Sequence, residues 1–126
     1  MRKLIELEMI IKRVSDYEPF KAVDNSEIVE VIGIPTTNTK EASLALAKIK
    51  PGLKTANHYH NFTEIYMVIK GEGIMHINDE IKDVREGDNI LIPPKSWHFI
   101  ENKGNHDLLI WCICTPAFNS KETILE

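Results

Sequence analysis

The stretch His58-Tyr-His-Asn-Phe-Thr-Glu-Ile-Tyr-Met-Val-Ile-Lys-Gly-Glu-Gly-Ile-Met-His-Ile77 carries two patterns at once. From Glu64 to Ile69 it is apolar and β-branched or aromatic, which reads as a strand. Gly71-Glu72-Gly73 then turns the chain into a second short strand, Ile74 to Ile77. At its front stand His58, His60 and Glu64, three residue types that bind divalent cations.

The same alternation of short strands and turns continues in both directions. Upstream, Glu27 to Gly33 and Ser43 to Ile49 read as strands, separated by the loop that begins at Pro35. Residues 4–14 alternate imperfectly (Ile5, Leu7, Met9 and Ile11 against Glu6 and Glu8) and are expected to form a strand. Met9 could also be a second start. Downstream, Ile81 to Val84, Asn89 to Ile92, Trp97 to Glu101 and Leu108 to Cys114 complete about nine or ten strands. The segment after Pro116 is expected to be irregular or helical. No long amphipathic helix and no repeat interrupts this order. Short strands at such spacing specify an all-β sandwich or barrel.

A chain of 126 residues makes one domain and buries a real core. Its net charge of −4 argues against nucleic acid and against an anionic membrane as partners. No apolar run approaches a membrane span. Glu6 and Glu8 interrupt what would be a signal-peptide core, so the protein is expected in the cytoplasm. Cys112 and Cys114 share one strand face at about 6.5–7 Å, the far edge of disulfide geometry. They read as reduced thiols and small core residues.

On a strand, His58 and His60 point to the same side and suit two neighbouring positions on one ion. Glu64 would lie roughly 20 Å from His58 in a continuous strand. If Glu64 is a ligand, the chain must reverse between His60 and Glu64, in a hairpin whose arms both face inward. His98 follows Pro93-Pro94, which fixes the chain direction at the entry to a strand.

Gly52-x5-His58-x-His60-x3-Glu64-x6-Gly71 resembles the first signature motif of the cupin superfamily, spacer for spacer. Gly87-x5-Pro93-x-Lys95-x2-His98-x3-Asn102 resembles the second, with Lys95 in the place of a Gly. Lysine can occupy many turn geometries, but its presence weakens any claim that the position needs a positive φ. The resemblance covers residues 43–116 well; the first forty or so match nothing in particular. It implies a single-domain jelly-roll β-barrel holding a divalent transition metal (Fe, Mn, Ni, Co, Cu or Zn) on His58, His60, Glu64 and His98. It also implies a homodimer, to which the apolar N-terminal segment could contribute.

Three neutral imidazoles and one carboxylate leave a divalent ion with about one net positive charge and roughly two open octahedral positions. That layout suits catalysis on a small oxygen-rich molecule, foremost by dioxygenase-type chemistry. Sugar or sugar-phosphate isomerisation, decarboxylation, and metal-anchored ligand sensing without turnover are the alternatives. Lys48 and Lys54 flank the first motif and leave the phosphate question open. Tyr66 shares the face of Glu64 and is a candidate catalytic hydroxyl or a packing residue. His76, opposite in parity to Met75 and Ile77, is a candidate that lies either in the pocket or toward solvent. His106 belongs to an exposed loop, and Trp97, Phe99 and Trp111 are expected in the core.

Overall fold

A computed structural model of the protein describes residues 8–126. Eleven strands run in chain order: β1 (Phe20–Lys21), β2 (Glu27–Ile32), β3 (Ser43–Ile49), β4 (His58–His60), β5 (Thr63–Lys70), β6 (Glu72–Ile77), β7 (Glu80–Arg85), β8 (Asn89–Ile92), β9 (His98–Glu101), β10 (Leu108–Thr115) and β11 (Thr123–Leu125). The only α-helix among the described residues is the single turn Ile34–Thr37, and none is long and apolar enough to cross a membrane. The expected all-β class holds.

Two antiparallel sheets face each other. One has the order β1-β2-β3-β10-β5-β8, the other β11-β4-β9-β6-β7. Strict alternation along β10 sets which side is inside: Leu108, Ile110, Cys112 and Cys114 are buried, and Leu109, Trp111 and Ile113 are half-exposed on the outer face. Pairing carries this parity across the large sheet. Cys114 lies between Ser43 and Glu64, Cys112 between Ala45 and Tyr66, and Ile110 between Ala47 and Val68. Val68, Met75, Ile92, Ile100, Leu108 and Ile110 fill one end of the barrel. Each such burial contributes about 1.5–3 kcal/mol. The small inward residues Ser43, Ala45 and Ala47 do not fill the other end, and a cavity of about 240 Å³ remains there.

Gly71 shows why one turn needs glycine. Its φ is 91°, and a Cβ would stand 2.9 Å from the Asp107 carbonyl oxygen. Lys95 corrects the sequence reading. It does adopt the left-handed conformation, with φ 63°, and its N–H donates to the His60 carbonyl at 2.7 Å. That bond ties the Pro-Pro turn to β4.

The N-terminal expectation also changes. Residues 4–7 lie outside the described part, and residues 8–13 form no strand. Met9, Ile10 and Ile11 are exposed and pair with no described strand. The tail after Pro116 ends in β11 instead of remaining irregular.

Candidate metal centre

β4 presents His58 and His60 inward and Tyr59 outward, where Tyr59 meets Trp97 edge to face at 4.8 Å. His98 opens β9 directly opposite His58. These three histidines belong to the smaller sheet. Glu64 belongs to β5 in the larger one, so the cluster bridges the two sheets. The chain does reverse between His60 and Glu64, but at a corner between sheets, not in a paired hairpin. The corner residue Phe62 is buried and stacks on the His60 ring, 4.5 Å between centroids.

All four side chains are buried, and one ligand atom from each lies within 4.8 Å of the others. Glu64 Oε1 is 3.2 Å from His60 Nε2 and 3.3 Å from His98 Nε2. Ligands about 2.1 Å from one ion stand roughly 3 Å apart when adjacent, so the cluster has the dimensions of a coordination shell.

Hydrogen bonding on the far side of each ring tests the fit. His58 Nδ1 lies 2.7 Å from the Ala56 carbonyl and His98 Nδ1 lies 2.8 Å from the Ser96 carbonyl. A carbonyl only accepts, so both Nδ1 atoms carry the proton. His60 Nδ1 is 2.8 Å from the Thr123 hydroxyl, whose own proton points to the Asn119 carbonyl. In its neutral form each ring then turns a bare Nε2 toward the centre of the cluster. Lone pairs face lone pairs, and Glu64 Oε1 and His98 Nε2 are buried without a hydrogen-bond partner. A cation satisfies all of them together; the residues fit a metal ion.

The electrostatics agree. Burial, followed by the charge of His98, lowers the His58 pKa to about 4, so this ring is neutral at physiological pH. Burial would raise Glu64, but His60 and His98 outweigh it and hold the carboxyl at about 2. That pull belongs to the metal-free cluster with charged rings; with the rings neutral, a cation held among them would exert it in their place.

Around the ligands the cavity wall is mostly apolar. Tyr66 lines it on the Glu64 face, its ring 6.0 Å from that of His98. Burial, then the Glu64 charge, pushes its phenol well above the ordinary range and keeps it protonated. Cys114 donates to Glu64 Oε2 at 3.3 Å, leaving Oε1 to the cluster. Burial, reinforced by Glu64, raises both thiols, which remain free and protonated.

The structure does not bring His76 to the cluster. Its Nε2 pairs with Glu101 at 2.7 Å and its ring stacks on Phe99 at 4.0 Å, on the outer face of the smaller sheet, where Met75 takes the inward position. Trp97, Phe99 and Trp111 are half-buried on outer faces and not in the core, and His106 is exposed. Lys48 and Lys54 line a surface groove that adjoins the cavity at Phe20, Lys21, Ser26, Ile49 and Thr55, and neither lysine lines the cavity itself. Sequence reasoning missed Glu30, which lines the cavity from β2, and Thr123, which orients His60 from the tail. The strand held no local signal for Glu30, which stands between the more buried Val29 and Val31; only its pairing with Ala45 on β3 turns it toward the cavity.

Residues 45–114 match the family model of the cupin domain. The chain belongs to the cupin family. It is 36% identical to an uncharacterized protein of Methanocaldococcus jannaschii, over 98% of this chain and all of that one. It is also 38% identical to a gentisate 1,2-dioxygenase of a Haloferax species, over 44% of this chain and only 16% of that protein. Among solved structures, a predicted oxalate decarboxylase from Thermotoga maritima superposes with a TM-score of 0.75 at 25% identity, covering 85% of this cupin and 99% of that chain.

Proposed function

We propose that this cupin is a metal-dependent enzyme of dioxygenase type acting on a small oxygen-rich organic substrate. One observation carries the reading: four buried side chains bring one ligand atom each to a common centre, and three of them, His58, His60 and Glu64, line the wall of a largely apolar cavity. A divalent ion bound there supplies Lewis-acid and oxygen-activating chemistry. The protein's own residues do the rest. His58, His60 and His98 are locked in orientation by their Nδ1 partners, Glu64 offsets charge, and Tyr66 holds a proton beside the ligands. The apolar wall excludes water from the substrate. The partial likeness to a gentisate dioxygenase supports this reaction class.

The likeness to a predicted oxalate decarboxylase favours decarboxylation as the second reading. The apolar cavity suits a substrate with more hydrocarbon than oxalate. Lys48 and Lys54, lying outside the cavity, lend no support to a sugar-phosphate substrate. The reading also places the protein in a reducing cytoplasm, consistent with two free thiols.

The test is elemental analysis of purified protein, followed by oxygen-uptake assays of the iron-loaded form with hydroxylated aromatic acids and oxalate. Oxygen consumption that disappears in His58→Ala supports the dioxygenase. Carbon dioxide release without oxygen consumption selects the decarboxylase. A protein that binds no stoichiometric metal refutes both.

A further inference from the structure

The cavity contains a second acid that plays no part in the ligand set. Glu30 on β2 occupies the same inward row as Ala45, Cys112 and Tyr66, three strands away from Tyr66. At about 4.8 Å per strand, the two backbones stand roughly 14 Å apart. Glu30 therefore belongs to the side of the cavity remote from Tyr66.

Its carboxyl is placed by a glycine. A Cβ at Gly33 would collide with Glu30 Oε1. Gly33 has φ 164°, an extended backbone that any residue adopts, so glycine supplies room here and not conformational freedom. Oε1 is enclosed and has no hydrogen-bond partner among the described residues. Burial raises the carboxyl above its usual range, which fits a group with no cation beside it. Glu30 as a whole is half-buried, and only Oε1 is both enclosed and unpartnered.

Charge around the cavity limits what could complete the site. Its wall includes the acids Asp24, Glu30 and Glu64, against one lysine, Lys21. Asp24 already accepts from the Ser26 N–H at 3.0 Å and the Ser26 hydroxyl at 2.6 Å. Glu30 is the remaining acid of the wall, with Oε1 packed against Gly33, in surroundings that repel a second anion.

We propose that Glu30 is a specificity-determining residue: it hydrogen-bonds a hydroxyl or amino group at the end of the ligand remote from the metal-binding oxygens, and it disfavours ligands carrying a carboxylate or phosphate there. This rests on the metal-centred reading above. The ligand class is a small molecule with chelating oxygens at one end, an apolar body and an uncharged polar substituent at the other.

Calorimetric titration of zinc-loaded protein tests this, because zinc allows binding without turnover. Three probes share one chelating end: 2-hydroxybenzoate, 2,5-dihydroxybenzoate and 4-hydroxybenzene-1,3-dicarboxylate. Wild type should bind the dihydroxy compound about tenfold more tightly than 2-hydroxybenzoate, the worth of one good hydrogen bond. It should bind the dicarboxylate more weakly than either. Glu30→Ala should lose both distinctions. Glu30→Gln should keep the preference for the hydroxyl and lose the discrimination against the dicarboxylate. Gly33→Ala, which displaces the carboxyl without removing it, should weaken the preference. Both Glu30 variants should melt at or above the wild-type Tm, since each removes an acid with one oxygen enclosed and unpartnered. A preference that survives in Glu30→Ala, or a lowered Tm in both Glu30 variants, overturns the proposal while leaving the metal reading intact. Probe binding that is the same with and without zinc overturns the metal reading, and this proposal with it.

Discussion

Lys95 stands where the second motif usually has glycine, and it keeps the left-handed backbone with φ 63°. That conformation costs a non-glycine residue about 1–2 kcal/mol. Glycine would relieve the strain but lose about 0.5–1 kcal/mol through the freedom of the unfolded chain. Lys95→Gly is therefore expected to stabilise the protein by roughly 0.5 kcal/mol, measured by urea denaturation, with metal content unchanged. His58 gives a pH dependence with a definite sign. Its folded pKa is about 4 against 6.5 for an ordinary histidine, so the unfolded chain takes up the proton first as pH falls. Stability of the metal-free protein should drop between pH 6.5 and 4, by up to about 3 kcal/mol, and this contribution should level off below pH 4. Denaturation series of the metal-free wild type and His58→Gln check it: the variant should lose less stability over that interval.

β11 is only three residues long, yet it orients a ligand. Thr123 pairs with His60 across the ladder and its hydroxyl takes the Nδ1 proton. Thr123→Val keeps the shape and removes that acceptor, so metal affinity should fall about 10–100-fold in competition with a chelator. Unchanged affinity would show that the hydroxyl does not orient the ring. The sequence concealed this element, because three residues after a polar run show no alternation. The longer strands were legible: β5 and β10 showed β-branched runs, and the spacing of His58, His60, Glu64 and His98 identified the cluster. The corner at Asn61-Phe62 was legible as a reversal, but not as a change of sheet, since local turn chemistry does not determine which strand pairs next. Glu30 was hidden for another reason. The strand was visible, but its inward face is set by pairing with β3, a long-range fact. The outer position of His76 likewise follows from Met75 filling the barrel beneath it.

At the scale of the molecule, the outer face of the larger sheet carries Leu46, Trp111 and Met67 in one row and Leu44, Ile113, Ile65 and Leu91 in the next, with Met67 37% and Leu91 62% exposed. We propose that this apolar face joins two copies of the chain. Light scattering should give the mass of a dimer, and the double substitution Met67→Lys with Leu91→Glu should give the monomer. A monomeric wild type refutes the proposal. Because the ligands come from both sheets, an ion would also clamp the barrel. Removing it with a chelator should lower Tm by several degrees, as for any ligand that binds only the folded state. The rings are fixed beforehand by Ala56, Ser96 and Thr123, so the vessel exists before its content. A vessel of three nitrogens and one oxygen, with no thiolate, follows the common affinity order Mn(II) < Fe(II) < Co(II) < Ni(II) < Cu(II) > Zn(II) and accepts any of them. Its occupant is then decided by supply. Cultures rich in zinc, iron or manganese should yield the same protein with different cargo, and the resident metal should report the cell's trace-element economy before it reports the reaction.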